Sequence, residues 1–203
     1  MAGANTEMLP MAAIPMHETT LAAPHSAGIE RGTPQYYGLQ KAIGSTAREF
    51  LLPKCRGVAL ACSDPEIITP LIKGAAGMSR FITLAPSFSA SERALDAFRF
   101  EVGLGSVEVG HIDLERNFPE VLSHMTLCME GLAGLTEARQ DQILSLVFRH
   151  LDGQGGFILV ENENDGKDWE TALREAGFEG IRTIWRSGQL IARLATKRAH
   201  SQS

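Results

Sequence analysis

The stretch from Arg56 to Glu66, RGVALACSDPE, most constrains what this chain can fold into. Val58, Ala59, Leu60 and Ala61 follow one another with nothing polar between them. A strand with one wet face alternates, so an unbroken apolar run suits a strand buried on both faces, as in a parallel sheet. The run stops at Cys62-Ser63-Asp64-Pro65, after which Ile67, Ile68, Leu71 and Ile72 recur at helical spacing. Buried strand, tight turn and helix form the opening of a nucleotide-binding α/β unit, whose ligand sits on the turn. Such a turn calls for glycine, because a Cβ holds the backbone away from a ligand. This turn has none.

The rest of the chain repeats the alternation. Leu39, Ile43, Ala47 and Phe50 predict an amphipathic helix that ends before Pro53, and Pro70 begins or kinks the helix after the first strand. Residues 80–85 read as a second strand, 90–100 as a helix and 107–112 as a third strand with Asp113 at its carboxyl end. Residues 121–127 read as a fourth strand, 136–151 as a long helix, 152–156 as a glycine-rich stop and 157–160 as a fifth strand. Trp169, Leu173 and Ala176 mark a last helix, with Gly177 as its left-handed cap. Residues 181–185 and 190–194 form a closing hairpin. Alternation at this spacing predicts an α/β fold: a Rossmann-like, doubly wound, mostly parallel seven-stranded sheet with an antiparallel last strand. The domain spans 31–197. Residues 1–30, interrupted by Pro10, Pro15 and Pro24, read as a flexible arm, and 198–203 as a tail.

A net charge of −5 argues against a surface that neutralises phosphates, so no nucleic-acid partner is expected. Arg182, Arg186, Arg193, Lys197 and Arg198 alternate with apolar residues as strand faces do, which makes them a solvated rim. Cys55, Cys62 and Cys128 show neither pairing nor metal-ligand spacing, which points to a reducing, cytoplasmic setting and no metal. No apolar run is long enough for a membrane span, and the N-terminus lacks the basic start of a signal peptide.

The second half of the chain carries a more specific pattern: LSHMTLCMEGL, a long helix, LDGQGGFILVENE, LREAGFEGI and LIARL. With the opening unit, this resembles the class I S-adenosylmethionine-dependent methyltransferases over about residues 31–197. In that family a Gly-Gly pair precedes the fifth strand and an Ala-Gly-Phe the sixth. The first half is similar to one branch, the carboxy-S-adenosylmethionine synthases, through Arg31, Pro34 and Tyr36 and in outline through residues 59–65.

The resemblance implies S-adenosylmethionine as cofactor, over a site formed by Tyr36, Cys62, Ser63, Asp64, Ala85, Asp113 and His124. Several of these depart from the family pattern. Ala59 replaces an acid, Ala61 and Pro65 replace glycines, and Ala85 stands where an acid holds both ribose hydroxyls. Asp113 falls where the family meets the adenine amine, although a carboxylate at a strand end also caps the next turn. His124 falls where the synthase branch carries an Asn opening the fourth-strand loop. That branch also has an arginine-bearing insertion after strand five, which is missing here. Cys62 suits a small core residue better than a nucleophile, Glu161 and Glu163 suit a solvated acidic loop, and no catalytic residue is assigned. The expected function is a methyltransferase-like protein with impaired or lost cofactor binding, a pseudoenzyme with a small-molecule or protein partner. The alternative is an active small-molecule methyltransferase that holds the cofactor unconventionally.

Overall fold

Residues Arg56–Leu60 form β1, and both of its faces are covered: Ala59 enters one apolar core while Val58 and Leu60 enter the other. In the computed structural model, which describes residues 29–74, 79–129 and 131–197, β1 pairs in parallel with β2 (Arg80–Ala85) and with β4 (Ser123–Met129). Adding β3 (Val107–His111), β5 (Leu151–Asn162), β6 (Arg182–Ser187) and β7 (Leu190–Thr196) gives a seven-stranded sheet in the order β3-β2-β1-β4-β5-β7-β6. β1 to β5 run parallel, as expected, and β7 is antiparallel to both β5 and β6. The closing hairpin is therefore not a simple antiparallel edge. Its second arm slots in beside β5 and leaves β6 outermost. Residue burial explains the choice: Leu190, Ile191, Ala192, Leu194 and Ala195 of β7 are buried, whereas Arg182, Thr183 and Arg186 of β6 are exposed. The apolar arm goes inside and the charged arm takes the edge, where charge also discourages further strand pairing.

Helices α1 (Pro34–Ala47), α2 (Pro65–Gly74) and α3 (Phe88–Ala97) share one core, in which Leu39, Ile43, Ile67, Leu71 and Phe81 meet Met125 and Val160. Helices α5 (Glu137–His150) and α6 (Trp169–Glu175) line the other, where Ile143, Leu144, Val147 and Leu173 meet Phe157 and Leu159. Each such side chain, fully buried, contributes about 1.5–3 kcal/mol. The helix expected over 90–100 is two, α3 and the short α4 (Arg99–Gly103), broken at Phe98, whose ring is buried and whose backbone leaves the helical region.

Local chemistry fixes the helix ends. Pro34 occupies the first turn of α1, and the Thr33 hydroxyl accepts the Tyr36 N–H. At the end of α6, Phe178 N–H bonds the Leu173 carbonyl and Gly177 N–H that of Arg174, with Gly177 at φ +103°. That is the left-handed cap the sequence predicts. Pro70 sits inside α2, where it removes the N–H that would bond the Glu66 carbonyl. Gln40 Nε2 of α1 donates to that carbonyl instead, at 2.8 Å.

Two strands differ from expectation in a way that matters for the site. β4 begins two residues later than predicted and runs to Met129. Val121 is held in a turn by its N–H bond to Pro119, and Leu122 is exposed, so their apolar character does not mark the ladder. β5 begins at Leu151, and the glycine-rich segment expected to be a turn is its irregular first half, between the Ser123–Leu151 and Met125–Gly156 pairings. Residues 1–28 and 198–203 lie outside the described residues, and with them nearly all of the expected arm and the whole tail.

Candidate functional site

The turn after β1 is built tightly. Ala61 adopts φ +50°, a conformation that costs an L-residue roughly 1 kcal/mol. Its methyl group lies against Gly131, beyond the end of β4: a Cβ placed on Gly131 would come within 2.4 Å of it. Ala61 and Gly131 therefore narrow the gap between the carboxyl ends of β1 and β4. In an open α/β sheet of this strand order, that gap is the switch-point crevice where ligands bind.

Beside this narrowed gap, Asp64 gathers donors from the start of α1. Arg31 reaches both carboxylate oxygens, through Nε at 3.1 Å and Nη2 at 2.9 Å, and the Tyr36 hydroxyl donates at 2.9 Å. The Glu66 N–H donates at 3.0 Å, so Asp64 also caps the start of α2. Glu66 stands behind, 3.4 Å from both Arg31 and Tyr36. Burial, then the hydrogen bond to Asp64, raises the Tyr36 hydroxyl above the ordinary phenol range, so it remains a donor. The Asp64 side chain is only 13% exposed against 53% for Arg31, which sets this pair apart from a freely solvated one. From α3, Arg93 Nη2 reaches the Ser63 carbonyl at 3.3 Å. A cavity of about 200 Å³ lies among Arg31, Tyr36, Ser63, Asp64 and Arg93, walled by Ile29, Leu39, Ile67 and Met129. A second, of about 500 Å³, opens on the other side of Ile29, between the start of α1 and the β6–β7 turn, lined by Thr33, Gln35, Asn162 and Gln189.

Of the residues singled out in the sequence, the structure brings Tyr36, Ser63 and Asp64 together at this cavity. Cys62 is buried at the turn and its Sγ donates to the Asp64 carbonyl at 3.3 Å. Ala85 ends β2, fully buried, and its methyl offers no hydrogen bond; its carbonyl accepts the Ile112 N–H. Asp113 caps its own turn, accepting the Glu115 N–H at 3.0 Å and facing Arg116 at 3.5 Å. His124 lies apart from the others. With β4 starting at Ser123, it sits at the amino-terminal edge of the sheet, where its Nδ1 accepts the Arg56 N–H at 3.1 Å. The acidic loop after β5 is also different from expectation. Glu161 is buried in an ion pair with Arg193, and Glu163 pairs with Arg186 at 2.6 Å.

Sequence reasoning missed Arg93 and Met129, and left Arg31 and Glu66 outside the predicted site. Arg31 was legible in the Arg-x-x-Pro-x-Tyr spacing. Arg93 lies on an exposed helical face with no motif around it, and Met129 was hidden by the two-residue error in β4.

The sheet order, with one antiparallel strand between β5 and β6, can now be set beside known folds. No protein-family model matches the chain, and no curated relative does. Solved structures do. A TehB-like methyltransferase of Corynebacterium glutamicum ATCC 13032 Kitasato superposes with a TM-score of 0.62 at 14% identity, over 79% of this chain and 88% of that one. A methyltransferase of Aquifex aeolicus does so at 0.63 and 14%, over 81% and 94%. An O-methyltransferase of Thermotoga maritima gives 0.64 and 12%, over 81% and 66%. All three are described as S-adenosylmethionine-dependent. The chain has the S-adenosylmethionine-dependent methyltransferase fold. At these identities the likeness is one of architecture.

Proposed function

We propose that this chain is a methyltransferase-fold protein whose cofactor site is impaired, so that it works by binding a small molecule or a protein rather than by ordinary methyl transfer. The observation that carries this reading is the packing of Ala61 against Gly131, which narrows the crevice that the fold uses for its ligand and leaves no room there for a larger side chain on Gly131. Three features support it. The cavity beside the turn, about 200 Å³, is smaller than the ~300–1,000 Å³ usual for small-molecule sites. Pro65 supplies no backbone donor at the turn. Ala85 offers no carboxylate to a ribose; two charge-assisted hydrogen bonds of about 1.5–3 kcal/mol each are forgone. A loss of 3–6 kcal/mol is roughly a hundredfold to ten-thousandfold in affinity. These residues do not fit S-adenosylmethionine in the manner the sequence resemblance describes.

The finer likeness, to the carboxy-S-adenosylmethionine synthases, rests on Arg31, Pro34 and Tyr36, which stand together at the start of α1. Its chemistry does not carry over. β5 leads through a single 3-10 turn, Glu163–Asp165, to α6, with no insertion to bring an arginine to a carboxylate. Neither carboxylated cofactor nor tight tRNA binding is expected. The larger cavity, lined by one acid, Glu30, among otherwise uncharged residues and clear of the Asp64 network, is the place we assign to a small-molecule partner. No described helix is long and apolar enough to cross a membrane, and three cysteines that form no disulfide among the described residues fit a reducing, cytoplasmic compartment.

Calorimetry of the purified protein with S-adenosylmethionine tests the reading. A dissociation constant near millimolar, or no heat, is expected. A constant of a few micromolar, or a methylated product from any acceptor, overturns it in favour of an active enzyme that holds the cofactor unconventionally.

A further inference from the structure

The Asp64 carboxylate is recognised as completely as a bound ligand would be. Arg31 Nε and Nη2, the Tyr36 hydroxyl and the Glu66 N–H give it four hydrogen bonds of 3.1, 2.9, 2.9 and 3.0 Å. A carboxylate offers about four acceptor positions, so the set is full. The planar fork of Arg31 meets both oxygens, the arrangement that gives arginine its selectivity for carboxylates. These donors do not merely staple a surface. Arg31, Tyr36 and Asp64 all line the cavity, and Tyr36 is itself buried.

The remainder of the cavity says what else would suit those donors. Its far side is aliphatic, from Ile29, Leu39, Ile67 and Met129. Its second guanidinium, Arg93, donates to the Ser63 backbone carbonyl and has no acid within ion-pair distance among the described residues. With Asp64 in place, Arg31 and Arg93 are balanced by Asp64 and by Glu66, 3.4 Å from Arg31; with Asp64 withdrawn, two guanidiniums face one acid beside an apolar wall. That is complementary to a monoanion with a short hydrocarbon body.

We propose that Arg31, Tyr36 and the Glu66 N–H form a carboxylate-binding site that Asp64 occupies from within the chain, holding it shut. When Asp64 withdraws, the site takes a small aliphatic carboxylate, its head on Arg31 and Tyr36 and its carbons along Leu39, Ile67 and Met129. Asp64 is tethered to its donors through the chain, so a free carboxylate competes against a high effective concentration and binds the native protein weakly. No adenosine moiety is involved, so this inference stands or falls separately from the reading of the cofactor site.

The test uses the full chain and sodium hexanoate as probe, with hexan-1-ol as the uncharged control and sodium chloride at matched ionic strength. Glu66 already lies 3.4 Å from Arg31 and Tyr36 and would move into the vacated place, so the opened variant is Asp64→Ala with Glu66→Gln. The expected result is hexanoate binding at least tenfold tighter in that variant than in the native chain, by calorimetry and by the rise in Tm. Hexan-1-ol should show no such gain, and adding Arg31→Gln should abolish it. Equal affinity in the native and opened proteins, an equal gain for hexan-1-ol, or a gain that survives Arg31→Gln overturns the proposal. If the opened variant fails to fold, Asp64→Asn with Glu66→Gln keeps the side-chain shape and is read in the same way. Failure of both to fold makes Asp64 a structural element only, and the proposal falls.

Discussion

Gln40 of α1 donates its side-chain amide to the Glu66 carbonyl of α2, the acceptor that Pro70 leaves without its helical partner. One helix thus repairs a break in another. Gly44 completes the fit: a Cβ there would lie 2.8 Å from the Pro70 ring, so the two helices approach closely only because this position is glycine. Replacing Gln40 by Ala should cost about 0.5–1 kcal/mol, since water can reach the freed carbonyl. In a Pro70→Ala background, where residue 70 supplies its own N–H, the same change should cost almost nothing. Urea denaturation of the four proteins measures the coupling; equal costs in both backgrounds would refute it.

The Arg31–Asp64 contact is bidentate but half open to water on the arginine side. Arg31→Gln should destabilise by about 1–2 kcal/mol, between an exposed pair and a buried one. Arg31→Lys should recover less than half of that, because a point charge cannot meet both oxygens. Chemical denaturation curves for the three proteins are the check.

Gly131→Ala places a methyl group 2.4 Å from the Ala61 Cβ. Overpacking of this kind costs about 1–3 kcal/mol. Ala61→Gly removes the obstacle and relieves the φ +50° backbone, so the double variant should be more stable than Gly131→Ala alone. If the two changes are simply additive in thermal unfolding, the contact between the two turns is not as described.

Glu161 and Arg193 form an ion pair within the sheet, with side chains only 2% and 14% exposed. Arg193→Met alone leaves a buried carboxylate without its cation and should cost about 3–5 kcal/mol. Combining it with Glu161→Met should restore most or all of the loss, since well-packed apolar residues often match a buried pair. A double variant no more stable than the single one would show the pair itself to be indispensable.

Burial pushes the Cys128 thiol up to about 12, from an unfolded value near 8.5. A raised value means that the folded state holds its proton longer than the unfolded one. The stabilisation is therefore complete below pH 8.5 and is lost above it, at up to about 1.4 kcal/mol per pH unit. Tyr36, also raised, adds to the loss above about pH 10. Melting temperature should fall between pH 7 and pH 10, and Cys128→Ala should flatten that fall. An unchanged slope in the variant would assign the alkaline sensitivity elsewhere.

The elements legible in the sequence were those whose evidence is local. Four apolar residues at Val58–Ala61 announce a strand covered on both sides, and the ladder places Ala59 in one core and Val58 and Leu60 in the other. Gly177 announces a left-handed cap, and the backbone has one. Tyr36, Ser63 and Asp64 were also within reach, because a turn after a buried strand is where this topology exposes backbone. Boundaries set by the ladder were not. Val121 and Leu122 are as apolar as strand residues, yet the β4 ladder begins two residues on, and that shift moves His124 from the middle of the expected strand to its second residue, at the amino-terminal edge of the sheet.

From the sequence by itself follow the parallel α/β sheet, its seven strands and the glycine-free turn, because periodicity and backbone freedom are properties of neighbouring residues. Tertiary structure alone decided what the turn does. Arg31 and Asp64 are 33 positions apart, Arg93 and Ser63 are 30 apart, and Ala61 meets Gly131 across two strands. No local spacing encodes those meetings. They exist because β1 lies in the interior of the sheet, between β2 and β4, so that the end of β1, the start of α1 and the middle of α3 converge at one carboxyl edge. A carboxylate read in isolation as part of a ligand's surroundings is there held as the ligand.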